Sequence, residues 1–312
     1  LAECGVQRVL YGLKEIKAAL TAPGGTLETA FISFPEVARQ VIPLVRGLAP
    51  SARIIYDMVD FHARRFAREA SLHNDDPALH ERAEAMRRLE FANIAAADVT
   101  VAISEEERHA VLEGVPDALV TVLPNVFRIP QGTLLGPAGR DGLLFVGGFR
   151  HQPNIDAVLW FTSEIWPTIR IEVPDACFRV VGSDMPEEIL SLGRIPGIEI
   201  LGYVADLRPL YDRSRLSVAP LRYGAGMKGK VGQSLVYGLP AVATPIGAEG
   251  MPLHNGEELL IADTCTDFAE AVLRLMRDDE LWLQLQTNGR KAVQHAFSSE
   301  IVEKRLETLL RG

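Results

Sequence analysis

The chain has 312 residues, about twice the length of a common single domain, so its length predicts two domains. Its 32 Lys and Arg against 41 Asp and Glu give a net charge of −9, which argues against a dedicated nucleic-acid-binding protein but leaves room for a local phosphate site. No apolar run approaches the ~18–20 residues that span a bilayer, and no secretory signal is visible.

The three cysteines, Cys4, Cys177 and Cys265, lie far apart in the sequence. Their spacing favours isolated thiols in a reducing compartment over disulfides or a zinc site. The seven histidines are equally scattered, so the sequence predicts no bound metal.

In the first half, apolar segments alternate with helical periodicity, as in βα units around a parallel sheet. A long helix is predicted over Pro77–Ala97, and Ser104 with Glu107 forms a capping box that starts the next helix. The stretch from 124 to 142 is rich in Pro and Gly and is predicted to be a linker. The predicted strands are Thr29–Ser33, Arg53–Asp57, Val99–Ile103 and Val120–Leu123.

The second half shows the same alternation of apolar segments and helical periodicity. The sequence therefore predicts two α/β units joined by a linker, with a cleft between them. Helices are predicted after Asn154, Pro186, Asp206, Met227 and Thr266, and the chain after Ala262 is predicted to be helical throughout. The predicted strands are Leu143–Val146, Phe178–Val181, Ile198–Leu201, Leu216–Ala219, Ala241–Ala243 and Leu259–Ile261.

The first candidate motif is the strand Leu143–Val146 with the residues that follow it. Gly147 and Gly148 let a ligand approach the backbone, and the next helix begins near Pro153, where its N terminus favours an anion. Arg150 adds a positive charge. The alternative is a tight turn without a ligand and a surface arginine.

The second motif runs from 220 to 240 and contains GxGxxG at Gly224, Gly226 and Gly229. A dinucleotide fingerprint is formally satisfied, but such a fingerprint normally lies in the first βαβ unit of its fold. Lys228 and Lys230 bring two positive charges to a glycine-opened helix start, which predicts a diphosphate site. The alternative is two surface lysines on an amphipathic helix.

Two further groups of polar residues follow predicted strands. Glu249 lies in a glycine-bearing loop and is either a contact for sugar hydroxyls or simply exposed. In the first half, Asp57, Asp60 and His62 cluster at the end of a strand. Arginines at 64, 65 and 68 come just beyond and give only a faint hint of contact with lipid.

These residues resemble the family 4, or "group 1", glycosyltransferases. The resemblance is carried in the second half by FVGGF…PN over 145–154, GYVADL over 202–207, and APLRYGAGMKGK over 219–230, continuing to GLPAVAT over 238–244. In the first half YDMVD over 56–60, AD at 97–98, SEEE over 104–107 and PN at 124–125 also resemble that family.

The resemblance implies a GT-B fold, with two Rossmann-like domains whose parallel sheets face a cleft. It implies an acceptor-side domain over 1–137, a nucleotide-sugar domain over 138–298, and a last helix over 299–312 that crosses back. It also implies that no metal or cofactor is required. Carried over by position, Gly147 and Gly148 line the diphosphate pocket, Lys228 and Lys230 lie near the phosphates, and Tyr203 and Val204 lie near the base. Gln233 falls near the ribose, and His62 lies close to where the family often carries a cleft histidine. The residues themselves add Arg150 and Gly226 to the expected donor site, and Asp60 as a candidate, beside His62, for positioning the acceptor hydroxyl.

Two departures from the family pattern stand out. Of the paired glutamates that the family places eight positions apart, the second is Gln233 and the first falls among Gly224 and Ala225. A glutamine still hydrogen-bonds a ribose hydroxyl, but more weakly by ~1 kcal/mol. The family's first glycine-rich loop has no counterpart, so the N-terminal domain looks one βα unit short, either by truncation or by reduction.

The function implied is retaining transfer of a sugar from a nucleoside diphosphate sugar to a hydroxyl of a saccharide or lipid-linked acceptor. Polysaccharide or glycoconjugate synthesis in the cytoplasm, with at most peripheral association at the inner membrane face, is the expected setting. Two alternatives remain open, an inactive nucleotide-sugar-binding subunit and a sugar-nucleotide epimerase of the same fold. The donor sugar, the base, the acceptor and the oligomeric state are left open by the sequence.

Overall fold

The computed structural model describes residues 5–22, 26–73 and 76–311, so Cys4 lies outside the described part. The chain divides into two compact units. The first contains Leu1–Ala67 and Pro77–Val122, and the second contains Arg68–Asp76 and Leu123–Gly312. Within the described residues, no helix combines the length and the apolar character that crossing a bilayer requires.

The first unit is built on a four-stranded parallel sheet in the order β1-β2-β3-β4. Parallel neighbours need a crossover, and helices supply all three connections in this sheet. The strands are β1 (Thr29–Ser33), β2 (Arg53–Asp57), β3 (Val99–Ala102) and β4 (Val120–Val122). The helices are α1 (Gly12–Leu20), α2 (Pro35–Leu48), α3 (His62–Leu72), α4 (Pro77–Ala96) and α5 (Glu105–Gly114). The residues of α3 from Arg68 onward belong to the second unit.

The second unit contains a six-stranded parallel sheet in the order β10-β9-β8-β5-β6-β7. Its strands are β5 (Asp141–Val146), β6 (Phe178–Val181), β7 (Ile198–Gly202), β8 (Ser214–Ala219), β9 (Ala241–Ala243) and β10 (Leu260–Ile261). From β5 the chain adds β6 and β7 on one side and then returns to the other side of β5 to form β8. Ligands of open α/β sheets bind where the strand order reverses in this way, beyond the carboxyl ends of the strands.

Helices complete the second unit, and three of them follow one another to the end of the described chain, as the sequence predicted. An aromatic cluster of Phe161, Trp166, Phe178 and Phe268 fills its core, and burial of each ring stabilises the fold by about 2–3 kcal/mol. The helices are α6 (Gln152–Trp160), α7 (Trp166–Glu172), α8 (Glu187–Leu190), α9 (Arg208–Arg213), α10 (Gly229–Val236), α11 (Pro245–Ala248), α12 (Cys265–Arg277), α13 (Asp279–Phe297) and α14 (Ser299–Arg311).

All ten predicted strands are confirmed, each to within two residues at either end. The predicted linker has neither helix nor strand between Val122 and Asp141. Ser104 caps α5 as predicted by accepting the N–H of Glu107, and the Glu107 carboxylate accepts the N–H of Ile103. The predicted helix after Asn154 begins earlier, at Gln152. The crossing back of the last helix stays a prediction.

Candidate functional site

Two loops leave the central strands of the second unit side by side. One follows β5 and carries Gly147 and Gly148, and the other follows β8 and leads through Gly224 and Gly226 into α10. Gly148 has no atom within 4 Å of the position that a Cβ would take, so the backbone there is open to a ligand. Both predicted glycine motifs therefore lie at the point of the sheet where the fold favours ligand binding.

Asn154 ties these two loops together. Its side chain is 5% exposed, donates from Nδ2 to the carbonyl oxygen of Gly148 at 2.7 Å, and accepts at Oδ1 from the Nζ atom of Lys230. A Cβ at position 147 would lie 2.9 Å from the Asn154 amide, so a larger residue there would displace the amide that forms this bridge. The sequence marked Asn154 only as part of a helix start and missed this bridging role.

Lys230 is held in a setting that disfavours its charge. Its Nζ atom lies 4.8 Å from the centre of the Phe145 ring, which offers weak cation–π stabilisation. Burial, with a further contribution from the nearby charge of Lys228, lowers the pKa of Lys230 from 10.5 to about 7. A bound anion would reverse this effect because it stabilises the ammonium form.

Lys228 is folded back onto its own loop. Its Nζ atom donates to the carbonyl oxygens of Ala225 at 2.8 Å and Gly226 at 2.5 Å, and lies 3.8 Å from Oε2 of Glu249. Gly226 has a φ of +66°, a left-handed conformation that glycine adopts without strain. The loop thereby gathers two ammonium groups around one glycine-rich turn.

Glu249 is not an exposed surface acid, so that alternative of the sequence analysis is wrong. Its side chain is 12% exposed and accepts two hydrogen bonds from Arg68, at 2.7 and 2.9 Å. Arg68 also donates to the carbonyl oxygen of Gly224 at 2.6 Å. Arg68 was considered only as part of a basic cluster, and no local pattern links it to a glutamate 181 residues away.

The remaining donor-side candidates occupy different settings. Tyr203 is 75% exposed directly after Gly202, whereas Val204 is half-buried and packs near Tyr211. Arg150 is 86% exposed and pairs with Asp184 at 2.9 Å. Gln233 is half-buried in the second turn of α10. Their roles in donor binding stay predictions.

In the first unit, β2 ends at Asp57 and is followed by a polar turn with a strained backbone at Val59. Asp57 accepts the N–H of Val59 at 3.0 Å and the hydroxyl of Ser33 at 2.9 Å, and Val59 has a φ of +64°, which a β-branched residue rarely adopts. Oδ1 of Asp60 is buried without a hydrogen-bond partner in the described part of the chain, and Oδ2 lies 3.5 Å from Arg65. Such strain is characteristic of functional loops.

His62 begins α3 next to this turn, and its ring is only 15% exposed. Its Nδ1 atom lies 2.8 Å from the carbonyl oxygen of Asp60 and 3.2 Å from Oε1 of Glu90. Burial alone would lower the pKa of His62. The hydrogen bond to Glu90 and the charges of Asp60 and Glu90 outweigh that effect and the opposing charge of Arg65, so the pKa lies above its usual value.

One three-residue group with the spacing of metal ligands occurs among the described residues, namely His254, Glu257 and Glu258. Two of its members are exposed, and Glu258 already accepts the backbone N–H of His254 at 2.7 Å. Exposed acidic groups of this kind are common without a metal, so the cluster does not argue for a metal site.

Residues 140–278 match the family described as "Glycosyl transferases group 1". Two curated proteins are similar in sequence. An uncharacterised 44.6 kDa protein from the cps region of Klebsiella pneumoniae is 24% identical over 51% of this chain and 43% of its own length. The capsular polysaccharide biosynthesis glycosyltransferase CapM of Staphylococcus aureus is 29% identical over 39% of this chain and 32% of its own length. The matches therefore span less than half of either relative.

Solved structures share the fold at low sequence identity. Sucrose-phosphate synthase of Thermosynechococcus elongatus superposes with a TM-score of 0.75 at 16% identity, over 96% of this chain and 76% of its own. TarM of Staphylococcus aureus gives 0.73 at 14% identity, over 91% and 54% respectively. HepE of Anabaena, solved with UDP, gives 0.71 at 13% identity, over 96% and 81%. The fold is thus the GT-B fold, and residues 140–278 are similar in sequence to the group 1 glycosyltransferases.

Proposed function

We propose that this chain is a retaining glycosyltransferase that moves a sugar from a nucleoside diphosphate sugar to a hydroxyl acceptor. The observation that carries the proposal is the pair Lys228 and Lys230 at the glycine-rich start of α10, of which Lys230 is bonded through Asn154 to the loop after β5. Two cations beside open backbone at a strand-order reversal suit a pyrophosphate.

The chemistry follows from the charge that develops as the donor bond breaks. The leaving diphosphate gains negative charge, and Lys228 and Lys230, joined by Arg150, stabilise it more strongly in the transition state than in the bound donor. The acceptor oxygen attacks the anomeric carbon, the bond to the diphosphate oxygen breaks, and the acceptor proton passes to the leaving phosphate. His62 and Asp60 orient the acceptor hydroxyl, and no protein nucleophile or metal is needed in this scheme.

The setting is polysaccharide or glycoconjugate synthesis. CapM is named for capsular polysaccharide synthesis, and structures of TarM and HepE contain UDP, which supports a nucleoside diphosphate sugar as donor. The acceptor is then a saccharide or a lipid-linked saccharide, and the protein acts in the cytoplasm with at most peripheral contact to the inner membrane face.

Calorimetry with nucleoside diphosphates tests the donor site. Each lysine offers a charge-assisted hydrogen bond worth about 1.5 kcal/mol, so the Lys228→Ala, Lys230→Ala variant should bind at least a hundredfold more weakly. The Lys291→Ala, Lys304→Ala variant removes the same charge from exposed positions of α13 and α14 and should bind like the parent. Equal binding by both double variants would refute the assignment.

One observation favours a second candidate, a nucleotide-sugar-binding subunit without transferase activity. By the resemblance, Gln233 stands where the family carries its second glutamate, and the position of the first falls among Gly224 and Ala225. An assay of nucleoside diphosphate release from a panel of sugar nucleotides separates the two functions. Release with formation of a glycosylated product supports the transferase, and binding without release supports the subunit.

A further inference from the structure

The carboxylate of Glu90 is completely buried, yet it is surrounded by N–H donors from the start of α3. Oε1 accepts the backbone N–H of His62 at 2.9 Å, and Oε2 accepts that of Ala63 at 2.9 Å. A carboxylate loses its hydration on burial and keeps its charge only where such donors replace the water. Glu90 on α4 therefore accepts hydrogen bonds from the first N–H groups of α3, for which an α-helix offers no carbonyl partner of its own.

The same carboxylate determines which nitrogen of His62 carries the proton. Nδ1 faces Oε1 of Glu90 at 3.2 Å and the carbonyl oxygen of Asp60 at 2.8 Å. Both oxygens accept hydrogen bonds and neither can donate, so Nδ1 must be protonated. In the neutral ring, Nε2 is then the nitrogen with a free lone pair.

We propose that Glu90 is a positioning residue that holds the His62 ring with its proton on Nδ1, so that Nε2 accepts the hydrogen bond of the acceptor hydroxyl. The inference deepens the proposed function and rests on it for the role of Nε2. The tautomer and the orientation of the ring rest only on the contacts within the first unit.

Glu107 provides a matched control on the other side of the same loop. It is 1% exposed and accepts the backbone N–H of Phe61 at 3.1 Å and that of Ile103 at 3.3 Å. Glu107→Gln and Glu90→Gln each remove a buried charge that anchors residues 61–63 by backbone hydrogen bonds, but the hydrogen bond to the His62 ring belongs to Glu90.

The first experiment is an NMR titration of ¹⁵N-labelled histidine side chains, with His62 assigned by comparison with His62→Ala. In the parent, the neutral ring is expected as the Nδ1–H tautomer with a pKa above 6.5. Glu90→Gln should lower this pKa and mix the tautomers, and Glu107→Gln should leave both unchanged. An Nε2–H tautomer in the parent would overturn the proposal even if Glu90→Gln failed to fold. Because no sugar nucleotide is present, this result is independent of the proposed function.

The second experiment is a kinetic cycle on transferase activity. Glu90→Gln should lower the pH-independent value of kcat/KM by about tenfold or more and move the acidic limb of the profile to lower pH. Made in the His62→Ala background, Glu90→Gln should cause no further loss, since its effect passes through the ring. An equal loss in both backgrounds would show a structural role only. Absence of activity in the parent, with the expected titration, would count against the proposed function and leave the ring geometry standing.

Discussion

The guanidinium group of Arg68 binds both carboxylate oxygens of Glu249, at 2.7 and 2.9 Å, and at the same time donates to the carbonyl oxygen of Gly224. Glu249 in turn lies 3.8 Å from the Nζ atom of Lys228. Arg68 is thus connected to the glycine-rich loop at two points. The loop that carries the proposed diphosphate site is held by a residue from the end of α3.

Replacing Arg68 should therefore affect both stability and donor binding. Arg68→Ala leaves a mostly buried carboxylate with less compensation, and we expect a loss of about 2 kcal/mol in the free energy of unfolding. Affinity for nucleoside diphosphate should fall as well because the Gly224 turn loosens. Arg68→Lys keeps the charge but not the bidentate geometry, so its stability and its affinity should lie between those of the parent and those of Arg68→Ala. Chemical denaturation and calorimetry measure the effects, and an Arg68→Ala variant as stable as the parent would contradict the prediction.

Replacing Asn154 by aspartate adds a negative charge with almost no change in the shape of the side chain. Asn154→Asp would place a carboxylate against the ammonium group of Lys230, raise the pKa of that lysine, and repel a bound diphosphate. We expect nucleoside diphosphate binding to weaken by about tenfold or more, with the fold retained. Asn154→Ala should weaken binding less, because it removes the bridge without adding a negative charge. Tighter binding by the aspartate variant would argue that the diphosphate does not lie near Lys230.

The lowered pKa of Lys230 predicts a pH dependence with a definite sign. Free Lys230 is about half neutral at pH 7, and a bound diphosphate favours the charged form, so the complex binds more protons than the free protein. Affinity should therefore fall as pH rises above about 7. Calorimetry at pH 8 in buffers of different ionisation enthalpy should detect proton uptake. Lys230→Arg, which stays charged, should bind without such uptake. Proton release by the parent would contradict the prediction that the diphosphate favours the charged form of Lys230.

The lowered pKa of Lys230 also predicts how the stability of the ligand-free protein depends on pH. Because the pKa of Lys230 in the folded state, about 7, lies below its value of 10.5 in an unfolded chain, the unfolded state binds more protons between these values. The contribution of Lys230 to stability therefore rises with pH across that window and is unfavourable below it. Lys230→Met should flatten this part of the stability profile, which denaturation at pH 6 and pH 9 can measure.

The sequence was sufficient for the strands and for the lysine motif, but the partners of the motif were not predictable. Strands such as β2 and β9 are apolar runs between turn residues, so local pattern defines them. The bond between Arg68 and Glu249, and that between Lys230 and Asn154, join residues far apart in the chain. Glu90 lies in a helix rich in charged residues, and its burial depends on the packing of α4 against α3. The local sequence pattern does not show which side chain of another helix or loop a residue will contact.

Two glycines at the start of α10 should respond differently to alanine. A Cβ at Gly232 would overlap the ring of Phe127, so Gly232→Ala should cost about 1–3 kcal/mol of stability. A Cβ at Gly229 meets nothing within 4 Å, so Gly229→Ala should be neutral or slightly stabilising. If a diphosphate approaches this backbone, Gly229→Ala should nevertheless weaken its binding. A Gly229→Ala variant with unchanged affinity would place the ligand elsewhere.

Gln233→Glu would place a carboxylate where the resembled family carries its second glutamate, and its effect on nucleoside binding tests whether residue 233 contacts the ribose. Gln233 is half-buried on α10, five residues after the Lys228 that opens the turn. A carboxylate accepts a ribose hydroxyl more strongly than an amide oxygen does, by about 1 kcal/mol, which corresponds to roughly fivefold tighter binding. The opposing effect is repulsion between the new carboxylate and the diphosphate, and salt titration separates the two because screening weakens only the charge term. Nucleosides, which lack the diphosphate, should therefore gain more from Gln233→Glu than nucleoside diphosphates do. Equal or weaker nucleoside binding by the variant would show that residue 233 does not contact the ribose.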